Sequence, residues 1–210
     1  DFVSRGGKVS SSEHGAWIWN KLYDQDFDYA QTDAHLKPCE GNKAVLIAAS
    51  SGWNNYRHQA DILAYYQLLK KNGFTDDDIM LIIADDLASD PKNPYPSQVI
   101  RNHKSLENLY TNVKVDYKLD EITPFDLKNI LTGKSSEKLP VVLDTDEHDN
   151  VLLLWSGHGA PGTLLWDENQ KTITGDFMSD LFNEMYAAGK YRKLFGLIEA
   201  CYAGSVATKC

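Results

Sequence analysis

Four short apolar runs set the limits on what this chain can fold into: residues 43–49 (KAVLIAA), 79–83 (IMLII), 151–155 (VLLLW) and 194–198 (LFGLI). Each is almost continuously apolar and rich in branched or aromatic side chains. That is the pattern of a strand covered on both faces in a parallel sheet, not of one alternating between core and water. Segments of helical character separate the runs. After a turn rich in Gly, Trp and Asn at residues 50–56, a helix is predicted to about Asn72, where Gly73 stops it. Thr123-Pro124-Phe125-Asp126 is a helix start with a cap, a proline at the first helical position and an acid near the amide end, and that helix is expected to reach about Leu131 and Gly133. Between the third and fourth runs, Thr174 is placed to cap a helix over residues 174–188 whose Phe177, Leu181 and Met185 form one stripe. Strand, helix, strand units of this length make parallel crossovers, so the expected fold is α/β: an open, mostly parallel sheet with helices on both faces.

The third and fourth runs each end on a reactive side chain. Leu154-Trp155-Ser156-Gly157-His158-Gly159 delivers an imidazole, and Leu197-Ile198-Glu199-Ala200-Cys201 delivers a thiol. In open parallel sheets the working residues collect at the carboxyl ends of the strands. A histidine after a strand is more often a turn residue, and a cysteine ending an apolar run more often buried and inert. Matching ends on consecutive strands give the pair the layout of a cysteine hydrolase dyad. Gly157 and Gly159 allow a sharp turn beside the imidazole, and the Gly159 amide can approach an oxygen that gains negative charge.

With 210 residues and 42% hydrophobic content, the chain suits one sizeable core rather than two. A formal charge of -9 argues against a nucleic-acid partner, and no apolar run is long enough for a membrane-crossing helix. No CxxC pair or His/Cys cluster with ligand spacing is present, so neither a metal nor a cofactor is expected. The run Asp76-Asp77-Asp78 lacks the spacing and glycine of a calcium loop and reads as a solvated turn. Of the three cysteines, Cys39 and Cys210 could pair or both be free. Residues 1–42 are polar and aromatic without a long core pattern: a tail, a docked extension with a helix around residues 15–22, or a pro-segment covering the site. Residues 90–96 carry three prolines and 134–149 are polar, and both read as loops. The main domain is placed at residues 43–210. The end of the chain, nine residues past Cys201, and its start at Asp1 rather than Met lead to the expectation of further sheet beyond Cys210 and of a targeting segment ahead of Asp1.

The segment Gly52-Trp53-Asn54-Asn55-Tyr56-Arg57-His58-Gln59-Ala60-Asp61 resembles a signature of the legumain, or asparaginyl endopeptidase, family of caspase-like cysteine peptidases. Ser156-Gly157-His158-Gly159 and Glu199-Ala200-Cys201-Tyr202-Ala203-Gly204-Ser205 resemble its other two, and residues 186–193 look like the segment before its cysteine strand. The resemblance covers residues 43–205. It implies a caspase-like fold with Cys201 as nucleophile and His158 as proton acceptor and later donor. A thiol is mostly protonated near neutral pH, so a nearby imidazole or helix amino end must favour the thiolate. The resemblance places the amides of Gly159 and Cys201 in an oxyanion hole. Asn55 matches a residue that orients the histidine, although a plain turn role is equally open. Arg57, His58 and Glu199 match the lining of the primary specificity pocket, where a guanidinium can donate to the side-chain oxygen of an asparagine and a carboxylate can accept from its amide. For Arg57 and His58 the alternative is an exposed helix start; for Glu199 a carboxylate on a buried strand is costly unless paired. Asp61 is expected to pair within its own helix. Legumains usually have Asp directly before the histidine, whereas this chain has Gly157, as the catalytic subunit of the GPI transamidase does; Glu199-Ala200 looks like legumain.

The resulting expectation is a cysteine endopeptidase cleaving after Asn and less readily after Asp, with self-processing as a subsidiary reading. The alternatives are a transamidase, a Lys/Arg-specific relative and a catalytically silent caspase-like binding module. Protein or peptide substrates are the expected partners, with a second chain from the same precursor if self-processing occurs. The expected setting is a secreted, periplasmic or lysosome-like compartment.

Overall fold

The computed structural model describes residues 39–102, 104, 106–167 and 171–210. The expected helix around residues 15–22, and all but the last four residues of the expected N-terminal extension, lie outside them. In chain order the strands are β1 (Gly41–Ala48), β2 (Ile79–Ile83), β3 (Tyr117–Lys118), β4 (Asp149–Ser156), β5 (Gly159–Ala160), β6 (Thr163–Trp166), β7 (Lys171–Thr174) and β8 (Lys193–Glu199). The helices are α1 (Tyr56–Lys71), α2 (Pro124–Leu131), α3 (Gly175–Ala187) and α4 (Ala203–Ala207). Five strands form one sheet in the order β3-β2-β1-β4-β8, with every pairing parallel. The expected open α/β sheet is therefore the observed one, with β1 two residues longer at its start than the apolar run suggests.

Because successive residues of a strand face opposite ways, the continuous runs feed two cores. On one face Val45, Ile47, Val151, Leu153 and Trp155 pack with Leu127 and Ile130 of α2 and Met178, Leu181 and Met185 of α3. On the other, Leu46, Ala48, Leu81, Ile83 and Leu154 pack against Ala60, Ile62, Leu63 and Tyr66 of α1. Local chemistry sets the helix ends. Thr123 accepts from the Asp126 amide while the Asp126 carboxylate accepts from the Thr123 amide, a complete capping box with Pro124 following. Thr174 accepts from the Phe177 amide, as its placement predicts. In the stripe of α3, Met178 takes the buried place expected of Phe177, which lies half-buried with the Lys128 ammonium 5.7 Å from its ring centre.

Three features depart from the sequence reading. A small antiparallel sheet, β5-β6-β7, stands between β4 and α3, where only a helix was expected. Its Leu164, Trp166 and Ile173 are buried, but strands of two to four residues are too short to register as periodicity. The loop at 134–149 is irregular as expected, yet Leu139 and Leu143 anchor it in the core. Finally, β8 reads as a strand covered on both faces but has a strand neighbour on one side only among the described residues, and Phe195 and Leu197 are 62% and 40% exposed.

Candidate active site

The parallel register carries the two reactive groups to the same level. Ser156 of β4 stands opposite Glu199 of β8, so His158 and Cys201 each lie two residues beyond a matched pair. The ladder continues past the strand ends: the Gly157 amide donates to the Glu199 carbonyl (3.1 Å) and the Ala49 amide to the Ser156 carbonyl (2.9 Å). The hairpin locks the His158 backbone from above, the Leu165 amide donating to the His158 carbonyl (2.9 Å). Both glycines around the imidazole are explained by space. A methyl group on Gly157 would meet the Ala49 Cβ at 3.1 Å, and one on Gly159 would lie 2.1 Å from the Cys201 carbonyl oxygen. The Gly159 and Cys201 backbones are thus in direct contact.

The histidine is held by the turn after β1. Asn55 is the N-cap of α1 but makes no side-chain cap bond. Its Nδ2 donates to the Ser51 carbonyl (2.8 Å), which turns Oδ1 toward His158, and His158 Nε2–H donates to that Oδ1 (2.7 Å). This fixes a tautomer: with the proton on Nε2, the lone pair sits on Nδ1, free to act as a base. An N-cap asparagine normally satisfies its own helix; here its carboxamide serves the imidazole instead. The same turn is pinned by Ser51 Oγ–H donating to Asp167 (2.7 Å), by the Gly52 amide donating to Asp86 (2.7 Å) and by Gln59, which donates to Asp86 (2.6 Å) and accepts from the Asp85 amide (3.1 Å).

His58 is buried, not exposed at the helix start. Its Nδ1 is 2.6 Å from Ser50 Oγ, and its ring stands perpendicular to that of His158 with centres 4.8 Å apart. Burial, with the charges of Arg57 and His158 next in weight, pulls its pKa down to about 4. Arg57, one residue earlier, is exposed and donates to the Asn54 carbonyl (3.3 Å).

The thiol side is more open. Cys201 is free and exposed, as are Cys39 and Cys210, so the pairing left open for those two is not made. Tyr202 follows in the left-handed region (φ 58°) and starts α4, a strained conformation for a bulky residue directly beside the thiol. Glu199 is exposed rather than buried on its strand, and its carboxylate accepts from the buried Ser156 hydroxyl (2.9 Å). Asp61 pairs across to Arg101 of the loop after β2 (3.8 Å), not within its own helix. Desolvation raises the Asp61 pKa; Arg101 opposes this, Glu199 adds to it and Arg57 opposes it, which puts the four charges within electrostatic reach of one another. Sequence reasoning singles out Cys201, His158, Gly159, Asn55, Arg57, His58 and Glu199 as candidates, and the fold gathers them at one edge of the sheet. It missed Ser50, Ser156 and Arg101, which carry no motif of their own. Among the described residues no group of three or more His, Cys, Asp or Glu side chains is placed to hold a metal.

A parallel α/β sheet with a histidine and a cysteine at adjacent strand ends defines a caspase-like architecture. The chain belongs to the Peptidase C13 family, whose model matches residues 42–210. It is 36% identical over 189 residues to a putative GPI-anchor transamidase of Drosophila melanogaster, covering 87% of this chain and 51% of that protein. It is 37% identical over 166 residues to a vacuolar-processing enzyme of Ricinus communis, covering 78% of this chain and 33% of that protein, and 35% identical over 166 residues to a legumain of Canavalia ensiformis, covering 78% and 34%. The chain thus spans between a third and about half the length of these curated relatives.

Proposed function

We propose that this chain carries the dyad of a cysteine endopeptidase that cleaves peptide bonds after Asn and less readily after Asp. The observation that carries the proposal is the shared level of His158 and Cys201 past the Ser156–Glu199 register pair, together with the Asn55 contact that leaves His158 Nδ1 as a base. In the proposed reaction Nδ1 takes the Cys201 proton and the thiolate attacks the scissile carbonyl carbon. The amides of Gly159 and Cys201 donate to the oxyanion. His158 then returns the proton to the departing amine as the C–N bond breaks, and water, deprotonated by the same nitrogen, releases the acyl group. Arg57 and Glu199 present a donor and an acceptor to the side chain of the residue before the scissile bond.

The test is the initial rate on fluorogenic peptides ending in Asn, Asp, Lys or Arg, for wild type and Cys201→Ala. Cleavage after Asn that vanishes in the variant is the expected result. Activity only after Lys or Arg would keep the dyad and discard the pocket, while turnover indifferent to Cys201→Ala would discard both. The lysosome-like or vacuolar setting and self-processing belong to the same proposal; intact-mass analysis before and after incubation of active protein checks the latter.

A second reading is transamidation, in which an amine replaces water in resolving the acyl-enzyme. It is supported by Gly157 before the histidine and by the relatives named as GPI-anchor transamidases. Adding a competing nucleophilic amine and weighing the products separates the two: an amide adduct in preference to free acid marks the transferase.

A further inference from the structure

We propose that Ser50 and His58 are positioning residues for His158: the Ser50 hydroxyl fixes the His58 ring, and that ring forms the wall against which His158 is held at the angle its reaction requires. This rests on the proposed role of His158 but assigns to His58 a task other than lining the specificity pocket.

Three observations carry it. His58 is 1% exposed, so it offers almost no surface to a substrate, whereas its neighbour Arg57 is exposed. Its Nδ1 is engaged by Ser50, itself 1% exposed at the end of β1, at 2.6 Å. Its ring meets the His158 ring at 89° with centres 4.8 Å apart, an edge-to-face arrangement that limits rotation of both rings. Asn55 holds His158 at Nε2 only, which leaves the ring free to pivot about that bond. The His58 wall limits that freedom, so a histidine held at Nε2 and walled by a second ring presents Nδ1 in one direction.

The arrangement also has an electrostatic consequence. When His158 accepts the thiol proton it becomes an imidazolium, and a second imidazolium 4.8 Å away would oppose that step. The groups that face His58 are Arg57 beside it, His158 against its ring and the Ser50 hydroxyl; burial first, then the charges of Arg57 and His158, keep His58 uncharged down to about pH 4. His58 therefore supports His158 as a neutral wall throughout the mildly acidic range.

The experiment measures kcat, KM and the pH profile of kcat/KM on an Asn peptide for wild type, His58→Ala and the double variant Ser50→Ala/His58→Phe. It also follows the NMR titration of the His158 Cε1–H signal in each. His58→Ala is expected to lower kcat at least about tenfold with KM within about twofold. Its His158 titration midpoint is expected to move by about half a unit or more. The double variant restores a ring without the hydroxyl or the titratable nitrogens, and is expected to bring kcat back to within about threefold of wild type. Should His58→Ala not fold, His58→Asn, which keeps a planar polar group, takes its place with the same expectations. A raised KM at unchanged kcat would put His58 in the pocket and overturn the proposal, and so would failure of the ring to rescue. If wild type shows no turnover dependent on Cys201, the functional reading fails, and the titration still decides this inference: a His158 midpoint unmoved by the substitution overturns it alone.

Discussion

The turn after β1 and the turn after β8 stand at the same edge of one sheet and are built in opposite ways. In the first, Ser50, Asn55, His58 and Gln59 are buried and cross-tied, each polar side chain bonded to a neighbour in the core. In the second, Glu199 ends a strand with one strand neighbour among the described residues, Cys201 and Tyr202 follow it, all three are exposed, and Tyr202 is held in the left-handed region. Among the described residues the proposed base is thus set among buried, cross-tied side chains, while the proposed nucleophile follows a strand with one described neighbour. A base must keep one tautomer and one direction through the whole cycle, which favours burial and fixed partners. A thiol that attacks a peptide must be reached by it, which favours partial exposure.

The largest effect is expected where the two turns touch. Gly159→Ala would put a methyl group 2.1 Å from the Cys201 carbonyl oxygen, a backbone atom that cannot step aside. The strand ends would have to separate, carrying the thiol away from the imidazole and the oxyanion amides apart, so a loss of about 10³-fold or more in kcat/KM is expected. Steady-state kinetics beside a circular dichroism melt checks this; near-normal activity would mean that the two turns are not in contact in solution.

The buried turn should also reveal itself through pH. The folded pKa of His58, about 4, lies below the ordinary value of 6.5. Between those values the unfolded chain binds a proton that the folded chain refuses, so stability falls as pH drops from about 6.5 to about 4 and this contribution levels off below. Carboxylates held by cations, such as Asp76 with Lys70 and Glu184 with Lys128, weaken the fold only at lower pH, where they protonate. Urea midpoints across the range should therefore show a slope between pH 6.5 and 4 that His58→Gln flattens. An unchanged slope would place the buried titration elsewhere.

Asn55→Ala comes next. It removes the acceptor that fixes the His158 tautomer but leaves the ring wall, so kcat is expected to drop by about 10- to 100-fold with little change in KM. Since Asn55 is buried and its carboxamide bonds both the Ser51 carbonyl and His158, a stability loss of about 1–3 kcal/mol is expected as well. Kinetics on protein shown to be folded separate the two roles: an unchanged kcat would return Asn55 to the plain turn role.

Much of this was legible in the sequence because β1, β2 and β4 are buried on both faces, and β8, though exposed at Phe195 and Leu197, has the same composition. Residues 79–83 and 151–155 cannot be anything else at that length, and the two reactive residues follow from where such runs stop. Thr123 and Thr174 were legible as caps because capping acts within four residues. What depends on distant neighbours was not. Ser156 holds Glu199 across 43 positions and Arg101 reaches Asp61 across 40, and neither spacing leaves a periodic trace. The role of Gly159 was half legible: its freedom to approach an oxygen was visible, but the Cys201 carbonyl that demands a glycine appears only in three dimensions.

The smallest effect is expected on the outer face of β8, and its smallness is what gives it value. Phe195 and Leu197 have the composition of core residues but remain 62% and 40% exposed. The more exposed side chain loses little on becoming polar, so Phe195→Ser should change stability by no more than about 0.5 kcal/mol, while Leu197→Ser, at a partly covered position, should cost about 1 kcal/mol. Leu153→Ala, on the neighbouring strand and 2% exposed, should cost about 2–4 kcal/mol in the same urea experiment. The contrast measures how far the open flank is open. If both serine variants cost as much as Leu153→Ala, that face is covered in solution, and the nucleophile would share the buried support that the structure gives only to the base.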